Sequence, residues 1–307
     1  MIYNQMYFLS IKKTNYVFIR SLLLNYCHPF LIFDSMFAEK TNRIITDHHI
    51  LSSEFLDREV KVDCYIPPNI TDPSSLSLLL INDGQDLCTM HFEEILDSLN
   101  ETGSLEPLFC VGIHCAPDRK NEYGTAKILD YKGRGAKAAM FSKFVMEELL
   151  PYLRQSYSIY SFKQKAYAGF SLGGLCALDI VLNHPSEFLI AGAFSGSFWW
   201  RDKDQDEVGF DEDTDRIMHR QVRDGAYYPW LKFFFEVGTK DETADRNNNG
   251  IIDSIDDTQS LVKELTAKGY QEGIDIYYLE LKDGKHDVPT WARSFPTFLK
   301  WGWGKNV

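Results

Sequence analysis

The sequence lacks several features that mark specialised classes of protein. Its six cysteines include no CxxC pair, the spacing that zinc ribbons and thioredoxin-like redox sites use. Proline and glycine are few, with 11 and 20 in 307 residues, which excludes a collagen-like or low-complexity chain. Positive charge is in deficit, because 32 Lys and Arg face 44 Asp and Glu, for a net charge of −12. An acidic chain offers no basic face to a nucleic-acid backbone, so no nucleic-acid partner is expected.

The placement of the cysteines favours free thiols. Cys64, Cys110 and Cys176 lie within apolar runs, where an unpaired cysteine behaves as a small buried hydrophobic residue. Disulfide pairing is the alternative.

Residues 1–43 differ in composition from the rest of the chain. Two lysines precede a mainly apolar stretch at 16–38, an order that is typical of a secretory signal segment. Arg20 and Asp34 interrupt this stretch, so it falls short of the roughly 20 apolar residues that a membrane-spanning helix needs. It is either a degraded signal segment or an N-terminal extension, and the choice between a cytoplasmic and an exported protein depends on which. The folded domain is assigned to residues 44–307.

The remainder alternates between strand-like and helix-like patterns. Apolar residues at every second position over 60–66 indicate a half-buried strand, and shorter, nearly continuous apolar runs indicate strands covered on both faces. Helical periodicity separates them at 138–150, 172–183 and 258–268, with Asp257 as the expected N-cap of the last helix. This alternation predicts one doubly wound α/β domain with a mostly parallel sheet and helices on both faces. The short apolar runs lie at 78–81, 108–113, 165–170, 188–194, 233–237 and 274–281.

The most informative segment is Gly-Phe-Ser-Leu-Gly at 169–173, a G-x-S-x-G motif between a predicted strand and a predicted helix. A serine on so tight a turn has strained backbone angles, and small flanking residues let neighbouring chain pass close by. The turn lifts the Ser171 hydroxyl above the sheet edge, where the N–H groups that open the helix face a developing oxyanion. We interpret Ser171 as a nucleophile. A glycine-rich turn that only packs a helix on a strand is the alternative.

A serine nucleophile needs a general base and an acid that orients the base. Of the eight histidines, only His286 follows the last predicted strand, at a position from which a base reaches the serine turn. In folds of this type the acid lies between the serine and the histidine in chain order. Asp241, just past the strand at 233–237, is our choice, with Glu242 next. Glu236 is a third carboxylate, although it lies inside the strand pattern.

A second oxyanion donor is expected in the loop after the strand at 78–81. That loop reads Asn-Asp-Gly-Gln-Asp at 82–86, and Gly84 permits a tight turn there. The N–H of Gln85 would then join that of Leu172 in an oxyanion hole. An ordinary connection between a strand and a helix is the alternative interpretation of this loop.

Three further side chains are candidates for contact with a substrate. Trp199 and Trp200 follow a predicted strand, and they either line a cleft or belong to the core. Arg119 either pairs with Glu122 near the site or forms with it an exposed ion pair of little energetic value.

Six separate motifs occur in an order that one known family shares. They are LLLINDGQDL at 78–87, DRKNEYG at 118–124, GFSLGG at 169–174, SGSFWW at 195–200, GTKDET at 238–243 and GKHDVPTWARSFPTFLKW at 284–301. On these motifs, residues from about 60 to 301 resemble the putative esterase family of α/β-hydrolases, which includes enterochelin esterases, feruloyl esterases, esterase D and the mycolyltransferases. The resemblance implies an α/β-hydrolase fold. It also implies that Ser171 is the nucleophile, His286 the general base and then acid, and Asp241 the orienting acid, although members differ in where the acid lies.

The segment at 245–256 has the oxygen spacing of a calcium-binding loop. It reads D-x-N-x-N-G-x-x-D-x-x-D, with glycine where such a loop turns sharply. Calcium takes about 6–8 oxygen ligands, so a structural Ca²⁺ is expected here, with a solvated Asn- and Asp-rich loop as the alternative. The expected ligands are Asp245, Asn247, Asn249, the Ile251 carbonyl, Asp253 and Asp256.

These patterns predict a serine carboxylic-ester hydrolase that acts on a small-molecule ester through an acyl-enzyme. No cofactor for catalysis and no stable membrane span are expected. Acyl transfer to an alcohol or a sugar is a second hypothesis. A non-catalytic binding module on the same scaffold is a third.

Overall fold

The computed structural model describes residues 43–68, 70 and 72–305. The predicted N-terminal extension at 1–43 therefore lies, except for Arg43, outside the described residues. Within the described ranges, every helix is too short or too polar to span a lipid bilayer. Cys64, Cys110 and Cys176 are buried free thiols, as predicted.

In the described part of the chain, eight strands form one sheet at the centre of the domain. The first two strands are antiparallel to each other, the second is antiparallel to the fourth, and the remaining neighbours are parallel. The strands are β1 (Ile45–Ser53), β2 (Arg58–Ile66), β3 (Ser77–Asn82), β4 (Leu108–Ile113), β5 (Lys165–Phe170), β6 (Ile190–Phe194), β7 (Lys232–Lys240) and β8 (Ile276–Lys285). Their order across the sheet is β1-β2-β4-β3-β5-β6-β7-β8. This mixed, mostly parallel sheet is the arrangement of an α/β-hydrolase.

Helices cover both faces of the sheet. Successive residues of β3 show this directly, because Leu78 and Leu80 join one apolar cluster while Leu79 and Ile81 join the other. The helices are α1 (Asp86–Thr89), α2 (Phe92–Glu101), α3 (Arg119–Glu122), α4 (Ala138–Lys143), α5 (Leu150–Ser156), α6 (Leu172–Asn183), α7 (Glu212–Asp215), α8 (Ile217–Asp224), α9 (Asp253–Lys268) and α10 (Val288–Trp303), and the π-helical segment Phe144–Leu149 joins α4 to α5. The doubly wound α/β prediction is confirmed.

One predicted helix start is wrong. Helix α9 begins at Asp253, so Asp257 lies inside the helix and does not cap it. The Asp257 carboxylate is buried, and it accepts hydrogen bonds from Arg216 Nη1 at 2.8 Å and from Arg246 Nη1 at 3.0 Å. This buried ion pair fastens the segment between β6 and β7 to α9.

Candidate active site

Ser171 lies on the turn between β5 and α6. Its backbone angles are φ 54° and ψ −121°, a conformation that is strained for a residue with a side chain. The Ser171 N–H donates to the Phe194 carbonyl of β6 at 2.8 Å. Two glycines are required by close contacts, since a Cβ on Gly169 would lie 2.4 Å from the Gly173 carbonyl oxygen and one on Gly173 would lie 2.4 Å from Asp83 Oδ2. The turn therefore has the strain and the close approaches that the motif predicts.

His286 and Asp241 meet at the carboxyl ends of β8 and β7. His286 Nδ1 lies 3.5 Å from Asp241 Oδ2, and the Asp241 side chain is fully buried while that of His286 is 41% exposed. This approach depends on two glycines, because a Cβ on Gly238 would lie 2.4 Å from the carbonyl oxygen of Gly284. Any side chain at position 238 would push the ends of the two strands apart, and with them the acid and the imidazole.

The two competing carboxylates have other surroundings. Glu242 is an exposed residue, and partial desolvation of its carboxyl raises its pKa. Glu236 is fully buried inside β7, and within the described part of the chain neither of its carboxylate oxygens has a hydrogen-bond partner. Burial, together with the charge of Asp241, raises the pKa of Glu236 to about 8, while Arg293 opposes the shift. Of the three carboxylates, Asp241 is the one placed against the imidazole.

The turn that carries Ser171 is linked to the His286 imidazole by an indole ring. Ser171 Oγ forms a long hydrogen bond of 3.4 Å with Ser197 Oγ, and among the described residues none joins it to His286. Catalytic hydrogen bonds are often long or misaligned before substrate binds. The Trp291 ring stacks on Phe170, the residue before Ser171, at 5.0 Å between centroids, and it meets the His286 ring edge to face at 5.4 Å. One side chain thus spans the distance from the serine turn to the imidazole.

Sequence reasoning overlooked Ser195, which links Trp291 to the acid. Ser195 Oγ lies 2.9 Å from Trp291 Nε1 and 3.1 Å from Asp241 Oδ1. The SGSFWW motif marked this segment, but nothing in it indicated a contact with a carboxylate. The partners of Ser195 are remote in sequence, and only the fold brings them together.

The two predicted oxyanion donors begin helices. Leu172 is the first residue of α6, and the first N–H groups of a helix have no acceptor within it. Gln85 directly precedes α1. In the turn before it, the left-handed residue is Asp83, with φ 60°. Gly84 is required by a close approach instead, since a Cβ there would lie 2.4 Å from the carbonyl carbon of Gly112 in β4.

Arg119 is bound to the loop after β3. Its Nε and Nη2 donate to the two oxygens of the buried Asp83 at 2.7 Å each, and Nη2 also donates to the Phe170 carbonyl at 3.1 Å. It does not pair with Glu122, as either version of that hypothesis required, because Glu122 is buried and pairs with Arg58. Arg119 therefore stabilises the serine turn through its hydrogen bond to the Phe170 carbonyl. Its contact with a substrate stays a prediction.

The two tryptophans after β6 differ in exposure. Trp200 is fully buried and packs so closely on Gly124 that a Cβ there would lie 2.9 Å from its ring. Trp199 is half-buried, and the Arg134 guanidinium lies 5.1 Å from the centroid of each ring. Trp200 is thus a core residue, while Trp199 is partly accessible and its contact with a substrate stays a prediction.

The predicted calcium loop is held by hydrogen bonds of its own. The Asp245 carboxylate accepts the N–H groups of Asn249 at 3.0 Å and Gly250 at 2.9 Å. Asn247 Nδ2 donates to Asp256 Oδ2 at 3.0 Å. Several of the expected ligand oxygens are therefore engaged with their neighbours in the loop.

Arg246 occupies another part of the expected ligand set. Its N–H donates to Asp253 Oδ1 at 2.9 Å, and its guanidinium lies 3.4 Å from Asp253 Oδ2. Among the described residues, no three carboxylate, histidine or cysteine side chains converge as a metal-binding group. The oxygen donors suit calcium in their chemistry, but this arrangement of them does not fit a bound ion. Calcium binding stays a prediction.

Comparison with known proteins identifies the family. The family described as Putative esterase matches residues 53–301, which include the serine turn and both loops that carry Asp241 and His286. The chain belongs to this family. The protein is therefore an esterase, a carboxylic ester hydrolase with the α/β-hydrolase fold.

Individual relatives are distant in sequence and similar in fold. The uncharacterized protein YbbA of Bacillus subtilis is 23% identical over 252 residues, 79% of this chain and 92% of YbbA. The enterobactin esterase FES of Shigella flexneri, solved in the presence of enterobactin, is 22% identical with a TM-score of 0.65, over 86% of this chain and 60% of FES. The siderophore hydrolase EstA of Aspergillus nidulans is 18% identical with a TM-score of 0.62, over 83% of this chain and 94% of EstA. This chain thus spans less than two thirds of FES.

Proposed function

We propose that this esterase hydrolyses small-molecule carboxylic esters through an acyl-enzyme formed on Ser171. His286 is the general base and then the general acid, and Asp241 orients the imidazole. The observation that carries the proposal is the 3.5 Å contact between His286 Nδ1 and Asp241 Oδ2 at the sheet edge where the strained Ser171 turn lies.

The surroundings of Asp241 support its role as the acid. Its Oδ2 is buried and has no hydrogen-bond partner within the described part of the chain. An unpaired buried carboxylate oxygen is costly, and a cation beside it removes that cost. The imidazolium that forms when His286 accepts a proton is such a cation. The contact is therefore worth more in the transition state than in the resting enzyme, which is the condition for catalysis.

The proposed reaction has two halves. His286 takes the proton of the Ser171 hydroxyl as the oxygen attacks the ester carbonyl carbon, and the N–H groups of Leu172 and Gln85 stabilise the oxyanion. The bond to the leaving alcohol breaks, and His286 returns the proton to that alcohol. Water then attacks the acyl-enzyme and gives a proton to His286, which returns it to Ser171 Oγ as the ester bond breaks and the acid leaves. The 41% exposure of the His286 side chain leaves water access to the imidazole, which supports hydrolysis over acyl transfer.

A fluorophosphonate probe tests the nucleophile. We expect one covalent adduct on the wild-type protein, located on Ser171 by peptide mass spectrometry, and loss of both the adduct and p-nitrophenyl acetate turnover in Ser171→Ala. Ser197→Ala is the matched control, because it removes the hydroxyl that contacts Ser171 Oγ and keeps the proposed nucleophile. An adduct that persists in Ser171→Ala would refute the proposal. Absence of any adduct on the wild-type protein would instead favour a binding module.

The alcohol or water that receives the acyl group is a separate question. Adding an alcohol or a sugar to the assay distinguishes the two, because only a transferase yields a new ester in place of the free acid. We expect free acid as the main product.

A further inference from the structure

We propose that Ser195 and Trp291 are positioning residues that fix the Asp241 carboxylate in the orientation His286 requires. This inference rests on the proposed function, because it assigns a task only if Asp241 is the acid. Neither residue contacts the reacting atoms, so each would act through Asp241 or His286.

Ser195 is held rigidly between two strands. It directly follows β6, has a left-handed backbone with φ 47°, and is 2% exposed. Its N–H donates to the Glu236 carbonyl of β7 at 2.7 Å. A left-handed conformation at a residue with a side chain persists only where the surroundings enforce it. The Ser195 hydroxyl is therefore presented from a fixed point.

The direction of the hydrogen bonds follows from the chemistry of the groups. The indole N–H of Trp291 can only donate, and it lies 2.9 Å from Ser195 Oγ. A hydroxyl has one proton, so Ser195 accepts from Trp291 and donates its own proton to Asp241 Oδ1 at 3.1 Å. Donation therefore runs from Trp291 to Ser195 and from Ser195 to Asp241. Neither hydrogen bond can change direction unless one of the two is broken.

This chain of bonds selects which carboxylate oxygen faces the imidazole. Because Oδ1 of Asp241 accepts from Ser195, Oδ2 is the oxygen left to meet His286 Nδ1. Without the bond from Ser195, the carboxylate would be free to rotate about its terminal torsion, which has a broad energy profile. Orientation of the acid would then depend on His286 alone.

Trp291 also limits the position of the imidazole. Its ring meets His286 edge to face and stacks on Phe170, so it contacts both the base and the residue before the nucleophile. The helix that carries it is anchored just past His286, where the Asp287 carboxylate caps α10 by accepting the Thr290 N–H at 3.0 Å. Trp291 therefore contacts His286 and Phe170 directly with its ring. It is linked to Asp241 indirectly, through the hydroxyl of Ser195.

A second tryptophan in the same helix supplies the control. Trp303 is 3% exposed against 7% for Trp291, and within the described residues its Nε1 has no hydrogen-bond partner. Trp303→Phe thus removes an indole N–H and some packing, as Trp291→Phe does, without touching the bonds to Asp241.

The test compares these two variants in steady-state kinetics on p-nitrophenyl acetate across pH. For Trp291→Phe we expect kcat to fall about tenfold with KM within about twofold, which corresponds to ~1.4 kcal/mol in the barrier. The acidic limb of the kcat/KM profile should move to lower pH, because the imidazolium loses an oriented carboxylate. Trp303→Phe should leave kcat and the profile as in the wild type. Ser195→Ala, which keeps the indole ring, should lower kcat at least as much as Trp291→Phe.

The outcomes separate this inference from the proposed function. If the wild-type protein takes no fluorophosphonate on Ser171, the proposed function and this inference both fail. If it is labelled and Trp291→Phe and Ser195→Ala match Trp303→Phe in kcat and pH profile, this inference alone is overturned. A change confined to KM would overturn it as well. If Trp291→Phe lowers the melting temperature more than Trp303→Phe does, the decision rests on Ser195→Ala, which keeps the indole ring. A wild-type kcat in Ser195→Ala would then overturn the inference.

Discussion

The two halves of the candidate site are held in different ways. The serine turn depends on main-chain contacts, because Ser171 donates its N–H to β6 and the glycines at 169 and 173 touch backbone or a fixed carboxylate. On the acid–base side the main chain sets only the spacing, and side chains complete the geometry, with the His286 imidazole still part-exposed. The turn that carries Ser171 is thus fixed by its backbone, whereas the partly exposed His286 imidazole is positioned by side-chain contacts.

The largest effect is expected from removing the charge on the acid–base side. Asp241→Asn should lower kcat by about 10³-fold, or ~4 kcal/mol in the barrier, because the imidazolium loses its counter-charge. Steady-state kinetics measures the loss, and circular dichroism checks the fold. Glu242→Gln is the matched control and should change kcat less than about threefold. A larger loss in Glu242→Gln than in Asp241→Asn would assign the acid to Glu242 instead.

A glycine substitution tests the main-chain half. Gly169→Ala should destabilise the protein by about 3 kcal/mol, because the new Cβ would lie 2.4 Å from backbone atoms that cannot move aside. Urea unfolding followed by fluorescence measures the change. Gly302→Ala, in the last turn of α10, meets only a side-chain atom at 3.6 Å and should be neutral or slightly stabilising. Equal effects of the two substitutions would show that the serine turn is not fixed by its backbone.

The buried carboxyl of Glu236 makes the free energy of unfolding depend on pH. Its pKa is raised to about 8, so the folded state keeps a proton that the unfolded chain loses above its ordinary pKa of 4.5. The contribution of this group to stability is then complete below about pH 4.5 and is lost as the pH rises toward 8, since the unfolded state binds fewer protons.

Glu236→Gln removes that proton-linked cost. The free energy of unfolding of this variant, relative to the wild type, should rise by about 2.5 kcal/mol between pH 5 and pH 7. Denaturant unfolding at several pH values measures the trend. The exposed Glu272→Gln should show none, and a variant that tracks the wild type across the range would contradict a protonated Glu236.

Calcium is expected to have the smallest effect. Binding at the 245–256 loop must first break the contacts of Asn247 with Asp256 and of Arg246 with Asp253. The net stabilisation at millimolar Ca²⁺ should therefore be about 1 kcal/mol or less, a rise of about 2 °C in Tm. Scanning fluorimetry with Ca²⁺ or EDTA measures it, and Asp245→Ala should abolish the difference. An unchanged Tm together with no heat of binding in calorimetry would exclude the site.

Local sequence patterns predicted several strands and helices of the molecule well. The apolar runs at 108–113 and 165–170 are strands with those bounds, and the helix at 172–183 follows Ser171 as expected. These elements depend on burial on both faces and on a turn motif, which are local properties of the sequence. Strand β1, at the edge of the sheet, was not predicted because ITDHHILSS mixes apolar and polar residues without a clear period.

Contacts between remote residues account for what the sequence did not predict. Asp257 has the residue type of a helix cap, yet it lies inside α9 because Arg216 and Arg246 meet it there. Ser195 and Trp291 are 96 residues apart, so no local pattern relates them. The acid–base side is built from such contacts, which is why its supporting residues could be recognised only after folding brought them together.

The touching main chains of Gly238 and Gly284 bear on how this enzyme can diversify. No side chain separates these strand ends, so no substitution by a smaller or larger side chain can change the distance between them in small steps. The spacing of Asp241 and His286 is therefore not open to gradual adjustment. A change of substrate preference is therefore expected to come from other residues around the serine, such as the segment that carries Ser197 and Trp199, where Ser197 contacts Ser171 Oγ. To accept a bulkier ester, the residues around the serine should be randomised while Gly238 and Gly284 are kept.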